Sequence, residues 1–170
     1  MKQMKTLVVA IALILGMNGF AQAQDSKIAH IATQELLTAM PSYKAAQADL
    51  EKLQSSYDAE MQQMGTELQK TMERYGREAE TQTDEENLKR QAEVEQTRNK
   101  ILEYRQTAMR DLQKKEGDLM KPIYEKARAA IQKVARAKGY QYVMDSTTGA
   151  GLILADGYDL MADVKKDLGI

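Results

Sequence analysis

Apolar side chains recur every three or four residues between positions 43 and 79, and charged or amide side chains fill most positions between them. The average spacing is about 3.6 residues, the period of a straight α-helix rather than of a supercoiled heptad. The pattern predicts one long amphipathic helix with a single apolar stripe. The stripe consists of Tyr43, Ala46, Leu50, Leu53, Tyr57, Met61, Met64, Leu68, Met72, Tyr75 and Ala79.

A second long helix is predicted to return after a polar break at residues 80–84. Thr83 followed by Glu86 has the spacing of a capping box, which begins a helix. Pro122 lies inside the returning stripe and predicts a kink, and Gly139 is placed to end the helix. Two arms of about 40 residues would each extend roughly 60 Å, more than the diameter of a compact domain of this size. The hairpin, residues 42–138, therefore needs a core at its base.

The two ends of the chain are predicted to supply that core. A short apolar strand at 27–32 precedes a two-turn helix with Thr33 as its N-cap, and Ser42 after Pro41 caps the first arm. Beyond Gly139 the sequence predicts strands at 140–145 and 150–155 and a short C-terminal helix. The fold class is thus α+β, a long antiparallel helical hairpin rooted in a small β-body made of residues 24–41 and 139–170. Three short strands are marginally stable alone, so we expect oligomerisation.

The first 23 residues have the layout of a secretory signal peptide. Two lysines precede an apolar run at 7–15, and Ala21-Gln22-Ala23 has the small-x-small pattern of a cleavage site. The alternative is an N-terminal anchor helix, although the apolar run is short for a membrane span. We expect export and a mature chain that begins at Gln24, with the bacterial periplasm as the simplest compartment.

Composition excludes several classes of function. The chain has no cysteine and one histidine, His30, and it lacks the glycine-rich motifs that bind nucleotides. We therefore expect no catalytic residues, no metal and no cofactor; the protein is not expected to be an enzyme. The mature chain has 22 basic and 25 acidic residues, which disfavours nucleic-acid binding.

Methionine and tyrosine on the arms suggest an adaptable binding surface, because such side chains fit irregular partners. The alternative is that the stripe only holds the arms together. A two-helix hairpin has no third layer over the stripe, so we expect part of it to remain accessible. The candidate binding residues are Tyr57, Met61, Met64, Leu68, Met72, Tyr75, Tyr104, Met109 and Leu112.

Three motifs in this order resemble the Skp (OmpH-like) family of periplasmic chaperones, and the resemblance covers essentially the whole mature chain. They are Lys-Pro-Ile-Tyr-Glu-Lys at 121–126, Gly-Tyr-Gln-Tyr-Val-Met-Asp at 139–145, and the C-terminal segment 158–170 with its Tyr-Asp-Leu and Val-Lys-Lys-Asp-Leu-Gly-Ile. Residues 41–53, beginning Pro-Ser-Tyr-Lys-Ala-Ala-Gln, also fit.

The resemblance implies a homotrimer in which strands of three chains close a small β-barrel and three hairpins surround a cavity. It implies an ATP-independent holdase for unfolded outer-membrane proteins, with the nine candidate residues contacting the client. Residues assigned to the body core and trimer contact are Ile28, Ile31, Leu36, Tyr142, Val143, Leu152, Ile153 and Leu154.

The charge of the arms departs from the best-known form of the family, whose arms are strongly basic. Residues 42–121 carry 14 basic and 17 acidic side chains, which weakens the expectation of electrostatic capture and of lipopolysaccharide binding. Transient contact with a membrane surface remains among the expected partners. The alternative function, from another class, is a non-catalytic envelope protein whose hairpin is a spacer or adaptor for one partner.

Overall fold

The computed structural model describes residues 27–170. The expected signal peptide, residues 1–23, lies outside the described residues. The elements run in the order β1 (Ile28–Ile31), α1 (Thr33–Ala39), α2 (Pro41–Glu78), a 3-10 turn (Ala79–Thr81), α3 (Asp84–Ala137), β2 (Tyr142–Asp145), β3 (Tyr158–Asp159) and α4 (Met161–Leu168). Among these elements, no helix combines the length and the apolar character that crossing a membrane requires.

Helices α2 and α3 form the predicted hairpin, and the α+β fold class is confirmed. The 38 residues of α2 and 54 residues of α3 correspond to lengths of roughly 57 and 81 Å. The Thr83 cap is also confirmed, since the backbone N–H of Glu86 donates to the Thr83 hydroxyl at 3.2 Å. The expected cap at Ser42 is wrong: α2 begins at Pro41, which suits the first helical turn because it needs no N–H partner there.

The period expected for the first arm needs correction. The half-buried or buried positions of α2 that face α3 include Thr71 and Glu78, whereas Met72 is exposed. When Thr71 replaces Met72 and Glu78 replaces Ala79 in the stripe, its positions from Tyr43 to Glu78 recur on average every 3.5 residues, as in a heptad. The predicted stripe contained only apolar residues. Near the tip, however, polar side chains also lie at the partly buried positions of α2.

The body contains a three-stranded parallel sheet in the order β2-β1-β3. Ile28 pairs with Tyr142 and Ile31 with Asp145, while Ala29 pairs with Tyr158 on the other side of β1. The first strand of the chain therefore lies between two strands that follow the hairpin. In residues 27–170 the sheet is open, with β2 and β3 as its edges.

The core lies between this sheet, the short helices and the root of the arms. Its largest fully buried side chains are Ile31, Leu36, Leu160 and Val164. The root of α3 adds Ile123 and Val134. Leu160 and Val164, four residues apart at the start of α4, were missed by the sequence analysis although their spacing is that of one helix face.

The strand predicted at 150–155 is not formed in the single chain. That segment is a loop, and β3 lies beyond it at Tyr158–Asp159. His30 of β1 forms hydrogen bonds with both ends of the longer connection between β2 and β3, residues 146–157. Its Nε2 donates to the Gly157 carbonyl, and its Nδ1 accepts from the Ser146 hydroxyl, both at 3.1 Å. The lone histidine is thus engaged in structural hydrogen bonds.

Helix α1 is capped from a distant part of the chain, and not by Thr33 as expected. The N-cap position is Ala32, and the N–H of Thr33 donates to the Asp145 carboxylate at 3.2 Å. The Thr33 hydroxyl donates to the same carboxylate at 2.5 Å, and the N–H of Gln34 donates to the Thr147 hydroxyl. Asp145 thereby joins the end of β2 to the start of α1, where a negative charge also suits the helix dipole.

We expect Leu36→Ala to lower the free energy of unfolding by about 3 kcal/mol, because the change empties a fully buried site. The matched control is Leu88→Ala, at a position 67% exposed, for which the loss should stay below about 0.5 kcal/mol. Urea unfolding at one fixed protein concentration measures both, since subunit association would shift the midpoint. Equal losses would contradict the assigned core.

We expect stability to fall in acid as Asp145 becomes protonated. Partial burial alone would raise the pKa of Asp145, but hydrogen bonds from Thr147 and Thr33 lower it to about 2. A depressed pKa stabilises the fold above about pH 4, and this contribution disappears as the pH falls toward 2. Urea midpoints should therefore decrease over that range.

The Asp145→Asn variant should show a weaker acid dependence of stability. Its free energy of unfolding at pH 7 should be lower by roughly 1 kcal/mol, after allowance for solvent screening. Thr147→Val is a partner variant, because it removes one hydroxyl donor to Asp145 and leaves the carboxylate. It should move the acid-induced loss to higher pH. Identical acid profiles for all three proteins would refute the role of this cap.

Candidate functional site

Tyrosines and carboxylates join the two arms midway along their length. The rings of Tyr57 on α2 and Tyr104 on α3 meet edge to face, with centroids 6.1 Å apart. The Tyr104 hydroxyl donates to Glu60 at 2.7 Å, and the Tyr57 hydroxyl donates to Asp111. Each tyrosine therefore crosses to a carboxylate on the opposite arm.

The same chemistry recurs near the tip. The Tyr75 hydroxyl donates to Glu93 at 2.6 Å, and the Arg90 guanidinium lies over the Tyr75 ring, 4.6 Å from its centroid. Arg90 also forms an ion pair with Glu78 across the arms at 2.9 Å. These polar contacts continue the seam between the arms where apolar side chains become scarce.

Hydrogen bonding to carboxylates keeps the seam tyrosines protonated. The hydrogen bond to Glu60 raises the pKa of Tyr104 to about 12, with smaller contributions from desolvation and the Glu60 charge. The hydrogen bonds to Asp111 and Glu93 raise the pKa of Tyr57 and Tyr75 in the same way. The tyrosines therefore remain donors over the whole physiological range.

Most of the nine candidate binding residues lie in this seam. Seven are half-buried between the arms: Tyr57, Met61, Met64, Leu68, Tyr75, Tyr104 and Leu112. Met72 and Met109 are the two exposed members, at 40% and 64%. Met72 also contacts the opposite arm, since its sulfur lies 3.7 Å from an Arg98 nitrogen. The seven half-buried residues are therefore placed to hold the arms together, which was the alternative left open by the sequence.

A second set of apolar residues on α3 is largely exposed, and one of them, Tyr124, borders an opening between the arms. Leu88, Leu102, Met109 and Tyr124 are each 47–67% exposed. The first three are separated by multiples of seven residues, so they share one face of the helix. Only Met109 of this set is among the predicted binding residues, because that prediction rests on the stronger inward stripe. The heptad spacing of these leucines was the signal that could have found them.

The candidate body residues divide into two groups. Ile31 and Leu36 are buried in the core, and Val143 and Leu152 are half-buried. The other four are exposed in the single chain: Ile28, Tyr142, Ile153 and Leu154. Ile153 and Leu154 belong to the loop after β2, and Tyr142 lies on an open sheet edge. This exposed group offers apolar area that one chain leaves uncovered.

Comparison with known proteins decides the family. The family described as "Outer membrane protein (OmpH-like)" matches residues 27–168. The chain belongs to the OmpH-like family. The resemblance drawn from the 121–126, 139–145 and 158–170 motifs is confirmed.

Curated relatives of this OmpH-like protein are named chaperone protein Skp. The one from Photorhabdus luminescens is 28% identical over 167 residues, which cover 97% of this chain and 99% of that protein. The one from Pectobacterium atrosepticum is 25% identical over 158 residues, covering 93% and 94%. Both relatives are named as chaperones, which agrees with the expectation that the protein is not an enzyme.

A solved structure shares the fold. It is described as an outer membrane chaperone (OmpH-like) from Caulobacter crescentus, and it superposes with a TM-score of 0.72 at 16% identity. The match covers 83% of this chain and 82% of that one. Within residues 27–170 of the OmpH-like protein, no group of three or more acidic, histidine or cysteine side chains is arranged to hold a metal.

We expect Tyr104→Ala to loosen the seam locally, because it removes both the edge-to-face ring contact and the Glu60 hydrogen bond. Amide hydrogen exchange of residues 53–64 should accelerate by roughly three- to tenfold, as the loss of an aromatic pair implies. The control is Met109→Ala on the same helix, where the side chain faces solvent. Exchange unchanged in Tyr104→Ala would show that the ring pair contributes nothing to the seam.

Proposed function

We propose that the protein is an ATP-independent periplasmic holdase that binds unfolded outer-membrane β-barrel proteins between its helical arms. The observation that carries the proposal is an arm of two helices, with exposed apolar residues along α3, rooted in a body of OmpH-like fold. The names of the Skp relatives support it. The arms would hold a client by many weak contacts and prevent its aggregation before insertion.

The proposal includes a homotrimer. β2 and β3 leave two open edges, and a neighbouring chain would satisfy their free N–H and C=O groups. The loop at 150–155 carries the exposed Ile153 and Leu154 and reads as a strand in sequence. We infer that this segment becomes a strand on assembly, when a second chain offers it a sheet edge. Such pairing would complete the β-barrel and cover Ile28 and Tyr142.

The balanced charge of the arms makes apolar contact the main source of client affinity in this proposal. Residues 42–121 have nearly equal numbers of acidic and basic side chains, and ion pairs such as Arg90–Glu78 use some of them within the hairpin. Transient contact with a membrane surface would accordingly be weak at physiological salt. Client holding should depend little on ionic strength.

The second candidate is a structural spacer or adaptor. The length of the seam favours it, because inward-facing positions recur from the root to Glu78 on α2 and, except at 113–118, from Asn87 on α3. A seam of this kind stiffens a hairpin. A spacer would need one matching partner and would show no general affinity for unfolded chains.

The deciding experiment uses the full chain, expressed with its own N-terminal segment and purified from the periplasmic fraction. We expect a trimeric mass in solution and an intact mass that corresponds to cleavage after Ala23. A urea-unfolded outer-membrane β-barrel protein diluted into a stoichiometric excess of trimer should remain soluble, with light scattering reduced at least several-fold. ATP should change nothing.

The outcome separates the two candidates. A trimer that leaves scattering unchanged would favour the spacer, and a monomer would contradict the shared cavity. Protein retained in the cytoplasm would contradict export. Repeating the assay at high and low salt tests the apolar character of binding, since electrostatic capture would weaken steeply with added salt.

A further inference from the structure

We propose that an opening between the two arms, near their root, binds an organic cation: an ammonium or guanidinium group on an aliphatic stem. The opening has a volume of about 580 Å³ and is lined by residues of both helices. Those that carry the proposal are Tyr43, Leu50 and Glu51 of α2 and Glu116, Met120 and Tyr124 of α3. The inference goes beyond the holdase function and does not depend on it.

The opening lies where the seam between the arms is interrupted. Every residue of α3 from 113 to 118 is exposed, whereas Leu112 before this segment and Met120 after it are partly or fully buried. Helix α2 keeps its inward positions at this level, with Leu50 and Leu53 half-buried. For nearly two helical turns, α3 therefore offers α2 no buried side chain, and the space between the arms stays open.

The charged residues that line the opening are all acidic. Glu51 comes from α2 and Glu116 from α3, and neither forms an ion pair with another residue in the described part of the chain. Their sequence neighbours Lys52 and Lys115 do not line the opening, because successive helix positions point about 100° apart. Two carboxylates at one opening disfavour an anionic occupant, whereas a cation between them relieves their repulsion.

A buried tyrosine at the opening supplies an independent observation. Tyr43 is only 7% exposed, and its hydroxyl forms no hydrogen bond with any residue of 27–170. The only completely covered side-chain atom without a partner in these residues is a nitrogen of Arg90, so the Tyr43 hydroxyl is not sealed inside the core. It reaches solvent where Tyr43 lines the opening, and there it can accept a hydrogen bond from an ammonium group.

The lining favours an organic cation over a metal ion. In residues 27–170 no three acidic or histidine side chains are grouped to hold a metal, and two carboxylates are too few for a calcium ion. Leu50, Leu112 and Met120 offer an apolar surface to an aliphatic stem. Tyr124, 47% exposed, adds an aromatic ring, to which cations are attracted. A purely apolar occupant would take water from the two carboxylates without replacing it.

Two sources carry the required head and stem. One is a free polyamine, and the other is a lysine or arginine side chain of a bound protein. Either would place its cation between the carboxylates and its carbon atoms on the apolar surface. A cation held between Glu51 and Glu116 would also join α2 to α3 where the seam is interrupted. Binding should therefore slow the amide hydrogen exchange of residues 113–118.

The test uses the full-length exported protein with isotope-labelled methionine methyl groups, observed by NMR. Met120 lines the opening and serves as the reporter, whereas Met109 lies outside it and serves as the internal control. The probes are putrescine and butylamine, with butanol and butyrate as the neutral and anionic controls of the same stem. We expect both amines to shift the Met120 signal with saturation in the millimolar range. Butanol and butyrate should give no saturable shift.

Variants of the lining residues assign the binding to this opening. Glu51→Gln and Glu116→Gln should each raise the Kd for butylamine about threefold, the effect expected when one exposed ion pair is lost. Glu103→Gln, at an exposed acidic residue of α3 outside the opening, should leave the Kd unchanged. Tyr43→Phe keeps the ring in the core and removes only the hydroxyl, and it should also raise the Kd about threefold.

A peptide with blocked ends and a single lysine identifies the source, with norleucine in place of lysine as its control. If the lysine peptide shifts Met120, the site accepts a side chain of another protein; if only the free amines do, its ligand is a polyamine. Equal shifts from butanol, no saturation with either amine, or an unchanged Kd in both glutamine variants would overturn the site. Aggregation of the unfolded barrel is measured separately, so failure of the holdase function would leave this result unaffected.

Discussion

The structure depends on one topological constraint: the core at the root of the hairpin is made from both ends of the described chain. β1 lies between β2 and β3, which follow the hairpin, and Leu36 from the first end is buried together with Leu160 and Val164 from the last. The arms must therefore leave and return to the same place. A two-helix arm buries only one stripe of each helix, so the body is what fixes the two arms relative to each other.

The arms could be predicted from sequence because their signal is local and repeated. Many turns of apolar spacing and a Thr83 cap determine a helix without reference to the rest of the chain. The body could not be predicted as well, because its stabilising contacts are distant in sequence. Asp145 caps α1 from more than 100 residues away, and no local pattern around Thr33 reveals that partner. The loop at 150–155 has strand composition, yet it pairs with neither open edge of the sheet within one chain.

The candidate site illustrates a different limit. The strongest apolar stripe is the one predicted to bind a client, yet Tyr57 and Tyr104 on that stripe contact each other across the arms. In a hairpin the strongest stripe is the one most needed for its own pairing. The apolar side chains that stay exposed form a weaker line on α3, which includes Leu88, Leu102 and Met109. Periodicity alone ranks stripes by strength, and it does not distinguish a stripe that pairs the arms from one that binds a partner.

The chemistry of the seam explains how a nearly neutral arm can leave apolar residues exposed. Tyrosine hydroxyls donate to Asp111, Glu60 and Glu93, so the seam uses carboxylates and rings together rather than a continuous row of leucines. Polar partners of this kind help to fix the register of the arms, because each of these tyrosines donates to one particular carboxylate on the opposite arm. With register fixed by the seam, the outer face of α3 is released from any role in holding the hairpin. It can carry scattered exposed apolar side chains that the pairing of the arms does not need.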